Sequence, residues 1–222
     1  MKEDDFFYEE AIQTSFPYPK SKTAPKLSKQ EKMDLIASRF RDIMIALGLD
    51  LDHPSLARTP ERVAKMYVNE VFTGLDDTTF PSLSFVDNEF RNSENGNIVF
   101  IKVNFNSFCE HHFVPISGNA YVAYIPKDKV IGLSKIPRIV RFFAQRPQMQ
   151  ERLGAQISDS LQKILGTEDV AVCIAAKHYC MIARGIEDAV SHTITYVLKG
   201  AFEKDLKRRE EFYQALKAKD LD

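Results

Sequence analysis

A chain of 222 residues with 44% hydrophobic and 27% charged side chains can bury a core without staples, and its formal net charge of −1 lacks the basic excess of nucleic-acid binders. No apolar run approaches the roughly 20 residues of a bilayer span, and the acidic start MKEDDFFYEE has no signal-like apolar region, so a cytoplasmic protein with neither membrane nor nucleic-acid partner is expected. Three cysteines argue against a disulfide framework and leave metal binding or catalysis as their interesting uses.

Residues 1–27, ending in FPYPKSKTAPKL, mix proline with charge and read as a flexible or loosely docked arm. From Ser28 the pattern turns helical. Met33, Ile36, Phe40, Ile43 and Leu47 recur at helical spacing, Ser28 and Glu31 form a capping box, and Gly48 is a stop. A second helix is predicted over TPERVAKMYVNEVFTG, with Thr59 as cap, Pro60 at its first position and Gly74 at its end. Residues 28–94 thus form an N-terminal helical region.

Alternation then takes over: Val99, Ile101, Val103 and Phe105 share one face of a predicted strand, and GNAYVAYIPKD follows as its antiparallel partner. Two helices come next, SKIPRIVRFFAQ with Ser134 as cap and PQMQERLGAQISDSLQKILG between Pro147 and Gly166. Two more strands, DVAVCIAAKHYCMI and AVSHTITYVLK, precede a charged last helix that places Phe202, Leu206, Tyr213 and Leu216 on one side. The order strand, strand, helix, helix, strand, strand defines an α+β unit whose four-stranded antiparallel sheet is covered by helices on one face.

The chemistry concentrates in SFCEHHFVP, between the first two strands. Cys109 and His112 stand three apart, a spacing at which a turn can aim thiolate and imidazole at one zinc ion. In KHYC, His178 and Cys180 share a strand face by parity, whereas Cys173 has the opposite parity and reads as a core thiol. Cys109, His112 and Cys180 therefore form a three-ligand set with an open fourth position, and His178 lies beside it. The competing readings are ordinary loop histidines with core cysteines, and a Cys109–Cys180 disulfide, disfavoured in a reducing compartment.

A second cluster begins at GLSKIPR. Ser134, Lys135 and Arg138 occupy the first turn of a helix, where amides and dipole favour an anion, so the outline is that of a phosphate site; a solvated basic helix start is the alternative. Arg184 and Arg62 are further cations that could converge. Glu151 is favourable at a helix start whatever its function, and a base edge is the functional reading for it and Gln150.

Together, CEHHF, VAYIPKDKVIGLSKIPRIVRFFAQRPQMQERL, HYCMIARGI and SHTITYVLKGAF closely resemble GTP cyclohydrolase I, from about Leu35 through the last helix. The resemblance implies the tunnelling fold (ββααββ) over residues 95–222, in which sheets of neighbouring subunits join into a barrel. It also implies a homodecamer of two pentamers with active sites between subunits. It implies GTP as substrate, Zn2+ on Cys109, His112 and Cys180, and hydrolysis at purine C8 with formate release and rearrangement to 7,8-dihydroneopterin triphosphate, the first step of folate or tetrahydrobiopterin synthesis. Under it, His178 donates a proton to N7 and His111 assists at the ribose or the water. Gln150 and Glu151 hold the guanine edge, and Ser134 serves the ribose rearrangement. Lys135, Arg138, Arg184 and, from an adjacent subunit, Arg62 contact the triphosphate. The chain departs from the familiar pattern at Pro137 and at Gly154, neither of which touches the motif chemistry, and its loop RNSENGN is longer than in the compact bacterial form. A silent tunnelling-fold binding protein is the main rival, opposed by the joint presence of His111, His178, Ser134 and the cations.

Overall fold

The computed structural model describes residues 9–90 and 97–218; the loop RNSENGN lies outside the described residues apart from Asn97. The N-terminal helical region holds α1 (Lys29–Ala46) and α2 (Thr59–Met66). Ser28 and Glu31 close both halves of the capping box, satisfying amide donors that have no partner within the helix. At α2 the expected cap fails: Arg58 occupies the N-cap position, Thr59 lies inside the helix, and no side chain caps it. The predicted 16-residue helix also stops early, because Tyr67–Val71 widens into a π turn followed by the 3-10 turn Thr73–Leu75. Gly74 permits that turn to dock, since a Cβ there would meet the Phe142 carbonyl oxygen at 2.0 Å.

Among the described residues seven strands follow: β1 (Phe85–Asp87), β2 (Val99–Cys109), β3 (Pro115–Tyr124), β4 (Lys129–Ile131), β5 (Pro147–Gln148), β6 (Val170–His178) and β7 (Thr193–Leu198). Helices α3 (Lys135–Ala144) and α4 (Gln150–Leu165) separate the two strand pairs, α5 (Tyr179–Ile182) is a single turn, and α6 (Ala201–Lys204) and α7 (Leu206–Lys217) close the chain. The main sheet has the order β5-β2-β3-β6-β7, with β1 and β4 forming a separate ribbon. Its four long strands pair antiparallel, as expected of an α+β chain; β5 is an addition, a two-residue parallel strand where the sequence predicted the start of a helix.

Strand parity sorts the sheet into two apolar layers. Val103, Phe105, Val122 and Ile174 face α3 and α4, where Ile139, Phe143, Leu153, Ile157 and Leu161 are fully buried or nearly so. On the other face Ala123, Ala171 and Cys173 pack beneath Phe202 and Phe212 of the closing helices. Those helices are two rather than one, broken at Asp205, whose carboxylate caps α7 by accepting from the Lys207 amide. The break turns Leu206 outward, 64% exposed, against the expectation that it packs beside Phe202.

Of the two states expected for the arm, docking is what its described part displays. Ala11 is fully buried, the Ser15 amide donates to Asp159 at 2.7 Å, and Gln156 donates to the Phe16 carbonyl at 2.9 Å. Lys20 pairs with Asp77 at 2.7 Å. Proline and charge erased the periodicity that would have announced these contacts.

Candidate active site

The β2–β3 hairpin sets the first half of the site. Cys109 ends β2; its amide donates to the Val114 carbonyl at 2.8 Å, and the Phe113 amide returns to the Cys109 carbonyl at 2.9 Å. The tight loop forces Phe113 to φ 53°, a left-handed conformation rare for a bulky residue. Its ring packs 5.5 Å from Phe72 and 6.2 Å from Tyr67, so the π turn buttresses the loop from outside. A cavity of about 550 Å3 lies between α1 and these rings, lined by Ile36, Phe40 and Phe72 among others, and touches the loop only through Phe113.

The other half arrives on β6. Pairing of Ile116 with His178 brings the end of β6 alongside the start of β3. The strand stops there. Cys180 stands on the α5 turn, so the parity that selected it does not operate; the turn nevertheless carries its thiol to the hairpin. Ligand atoms of Cys109, His112 and Cys180 all lie within 4.8 Å of one another, and they are the group among the described residues that could hold a metal ion. Two thiols and an imidazole suit a borderline-soft divalent metal. Burial, followed by the neighbouring Cys109 thiol, pushes the Cys180 thiol above its ordinary range, a conflict between sulfurs that a bound cation would relieve. Cys173 is 2% exposed in the opposite layer, and burial pushes it up to about 11 despite a hydrogen bond with Tyr196.

His111 and His112 each present Nδ1 to Cys109 Sγ at 3.8 Å, but His112 is the one that joins Cys180. His111 is exposed and has Glu110 at 3.8 Å. Arg184 Nη1 stands 3.0 Å from His112 Nε2, at the edge of the metal group.

Gln150, at the start of α4, is 3% exposed. Its amide nitrogen donates to the carbonyls of Ile174 and Thr193, both at 3.0 Å, and to Thr195 Oγ1 at 3.2 Å. Those acceptors fix the amide orientation, so its oxygen faces His178 Nε2 at 2.7 Å and can only accept. His178 therefore carries its proton on Nε2 when neutral, and Nδ1 is the nitrogen left to exchange one. Burial lowers the His178 pKa, with Glu151 opposing. The Gln150 side chain thus faces the protein rather than a base, and its link to His178 is a role the sequence did not announce.

A further pair was missed. Arg152 forks onto Glu110, with Nη1 to Oε2 at 2.5 Å and Nη2 to Oε1 at 3.3 Å, and both side chains are less than one-fifth exposed. Together with the Glu110 amide donating to the Gln148 carbonyl at 3.0 Å, it ties the hairpin to β5 and α4. Glu110, between two candidate ligands, is thereby structural in its contacts.

The remaining predicted residues are exposed, except for Lys135, which is half-buried. Ser134 precedes α3 in a helical conformation, without the side-chain cap the sequence suggested, Lys135 reaches Ser82 Oγ at 3.4 Å, and Arg138 lies one turn further. Glu151 is exposed at the start of α4, and Arg62 on α2.

Residues 36–217 match the family model of GTP cyclohydrolase I. Over 194 residues the chain is 52% identical to "GTP cyclohydrolase 1" of Aeromonas salmonicida, covering 87% of this chain and 88% of that protein. It is 51% identical over 193 residues to the protein of the same name from Erwinia tasmaniensis, covering 86% of each. An α+β scaffold that gathers a thiol–imidazole group beside an oriented histidine is, with these relatives, a metal-dependent hydrolase. The chain belongs to the GTP cyclohydrolase I family, which converts GTP to dihydroneopterin triphosphate. No helix among the described residues is long and apolar enough to cross a membrane.

Proposed function

We propose that the chain hydrolyses GTP at purine C8 with zinc on Cys109, His112 and Cys180, releases formate, and rearranges the ribose to give 7,8-dihydroneopterin triphosphate for pterin synthesis. The convergence of those three ligand atoms within 4.8 Å carries the reading. Zinc, when bound, supplies Lewis-acid activation of the water that attacks C8.

Gln150 engages Nε2 of His178, and burial favours the neutral imidazole, so Nδ1 is the nitrogen that takes a proton from the attacking water and passes it to N7. Glu151 holds the guanine edge from the open start of α4; Gln150 joins it only through its backbone amide, since its side chain is engaged. His111, exposed beside the group, assists at the ribose or the water, and Ser134 serves the rearrangement. Lys135, Arg138, Arg184 and a neighbour's Arg62 bind the triphosphate, whose remote binding energy orients the base.

The tunnelling fold and decamer belong to the same proposal. Support comes from the outer strand β7, which leaves Ile194 and Tyr196 54% and 48% exposed, and from Leu35 and Ile43 on α1 with Leu47 at its C-cap, surfaces suited to neighbouring subunits. Incubation of metal-replete protein with GTP should yield formate in step with a pterin absorbance; metal-replete protein that yields none would overturn the proposal.

A further inference from the structure

The arm lies outside the matched residues 36–217, yet it meets the candidate site. Tyr18 is half-buried, with its ring 5.8 Å from the Arg152 guanidinium and 5.9 Å from that of Arg146. Arg146 is 2% exposed, sits 4.5 Å over Phe142, and leaves Nε and Nη2 without a hydrogen-bond partner, so aromatic faces are its surroundings. Arg152 is held by Glu110 on one side and overlain by Tyr18 on the other. Covering a guanidinium with an aromatic ring excludes water from its ion pair, and a dry pair holds its geometry better than a wetted one. Glu110 is covalently one residue from Cys109 and two from His112, so movement of the pair is movement of the ligand loop. Ser15 and Phe16, bonded to Asp159 and Gln156, anchor the arm just ahead of Tyr18.

We propose that Tyr18 is a positioning residue: through Arg152 and Glu110 it holds the Cys109–His112 loop in ligand geometry, which makes the arm a working part of the metal site. This rests on the zinc reading above. Groups that orient metal ligands from outside typically contribute 10–100-fold to affinity or activity, and Tyr18 acts one contact further out.

The test compares the full-length protein with Tyr18→Ala, Tyr18→Leu and Tyr18→Phe, each also in a Glu110→Gln background. Transfer of zinc to a chromogenic chelator should be about tenfold faster in Tyr18→Ala and Tyr18→Leu, and unchanged in Tyr18→Phe, which keeps the ring. In the GTP assay kcat should fall about tenfold at unchanged KM. With Glu110→Gln already present, removing the ring should add less than about twofold, because both act along one path. Amide exchange at Glu110–Phe113 in metal-free protein should quicken in the same two variants. A ring-less variant with wild-type chelator transfer and exchange, or an undiminished effect in the Glu110→Gln background, would overturn the proposal. Chelator transfer and exchange read the clamp even where formate release fails, so the two readings fail separately.

Discussion

Replacing Gln150 with Met tests how His178, the proposed acid–base group, is held. Methionine keeps the length and volume of the side chain but removes both ends of its amide. The buried Ile174 carbonyl and the half-buried Thr193 carbonyl each lose a donor at 3.0 Å, and His178 loses its acceptor at 2.7 Å. At about 1–3 kcal/mol for each unsatisfied buried group, tempered by whatever sheet bonds the carbonyls keep, the loss is about 2–4 kcal/mol. In a chain of this size that lowers Tm by roughly 4–16 °C. The catalytic effect is separate: without its acceptor the imidazole is free to rotate and change tautomer, so kcat should fall about a hundredfold, the lower end of what a positioned acid–base group contributes. KM for GTP should change little, because the amide side chain faces inward. Thermal unfolding and steady-state formate release measure both. A variant whose KM rises while kcat and Tm stay at wild-type values would refute the reasoning and return the Gln150 side chain to the guanine edge.

Cys180→Ser should lose bound metal on gel filtration while Cys173→Ser retains it, since one thiol belongs to the ligand group and the other to the opposite layer; equal loss would sink that division. Gly74→Ala should destabilise the chain by about 1–3 kcal/mol or more, because the added carbon meets the Phe142 carbonyl at 2.0 Å, and an unchanged denaturation midpoint would contradict it. Asp159 is held below its ordinary 3.8: burial alone would raise it, but Lys199 and the Ser15 amide outweigh burial. Its contribution to docking the arm is therefore full above that value and lost as pH falls through the lower folded-state value. Limited proteolysis of residues 9–20 should quicken over that acid range in the wild type, and Asp159→Asn should flatten the dependence.

Most of the scaffold was legible because its signals are local. The capping box at Ser28 and Glu31 and the alternation in β2 each follow from short-range stereochemistry, and both appear in the structure. The metal group was legible because three ligand-type residues fall in two short segments, although Cys180 reaches the site from a helical turn rather than along a strand. What stayed hidden depends on distant partners. Pro147 suits a helix start, but β5 is formed there by pairing with the end of β2. The π turn after Met66 is an aromatic packing choice, made where Phe72 and Tyr67 meet Phe113. Gln150 looked like a ligand-binding amide until its neighbours were in place, and no pattern in the arm foretold Tyr18 against Arg152.

The two thiols of the ligand group have a consequence for handling the protein in air. On the proposed ligation a bound metal engages both sulfurs; without it they lie close enough for an oxidant to join them. Cys173 is on the far side of the sheet and offers no alternative pairing. Metal and disulfide then compete for the same atoms, so stripped protein stored aerobically should refuse added zinc until a thiol reductant is supplied, while protein stripped under nitrogen accepts it at once. Loss of the ion, ordinarily reversible, becomes a lasting record of exposure to oxygen.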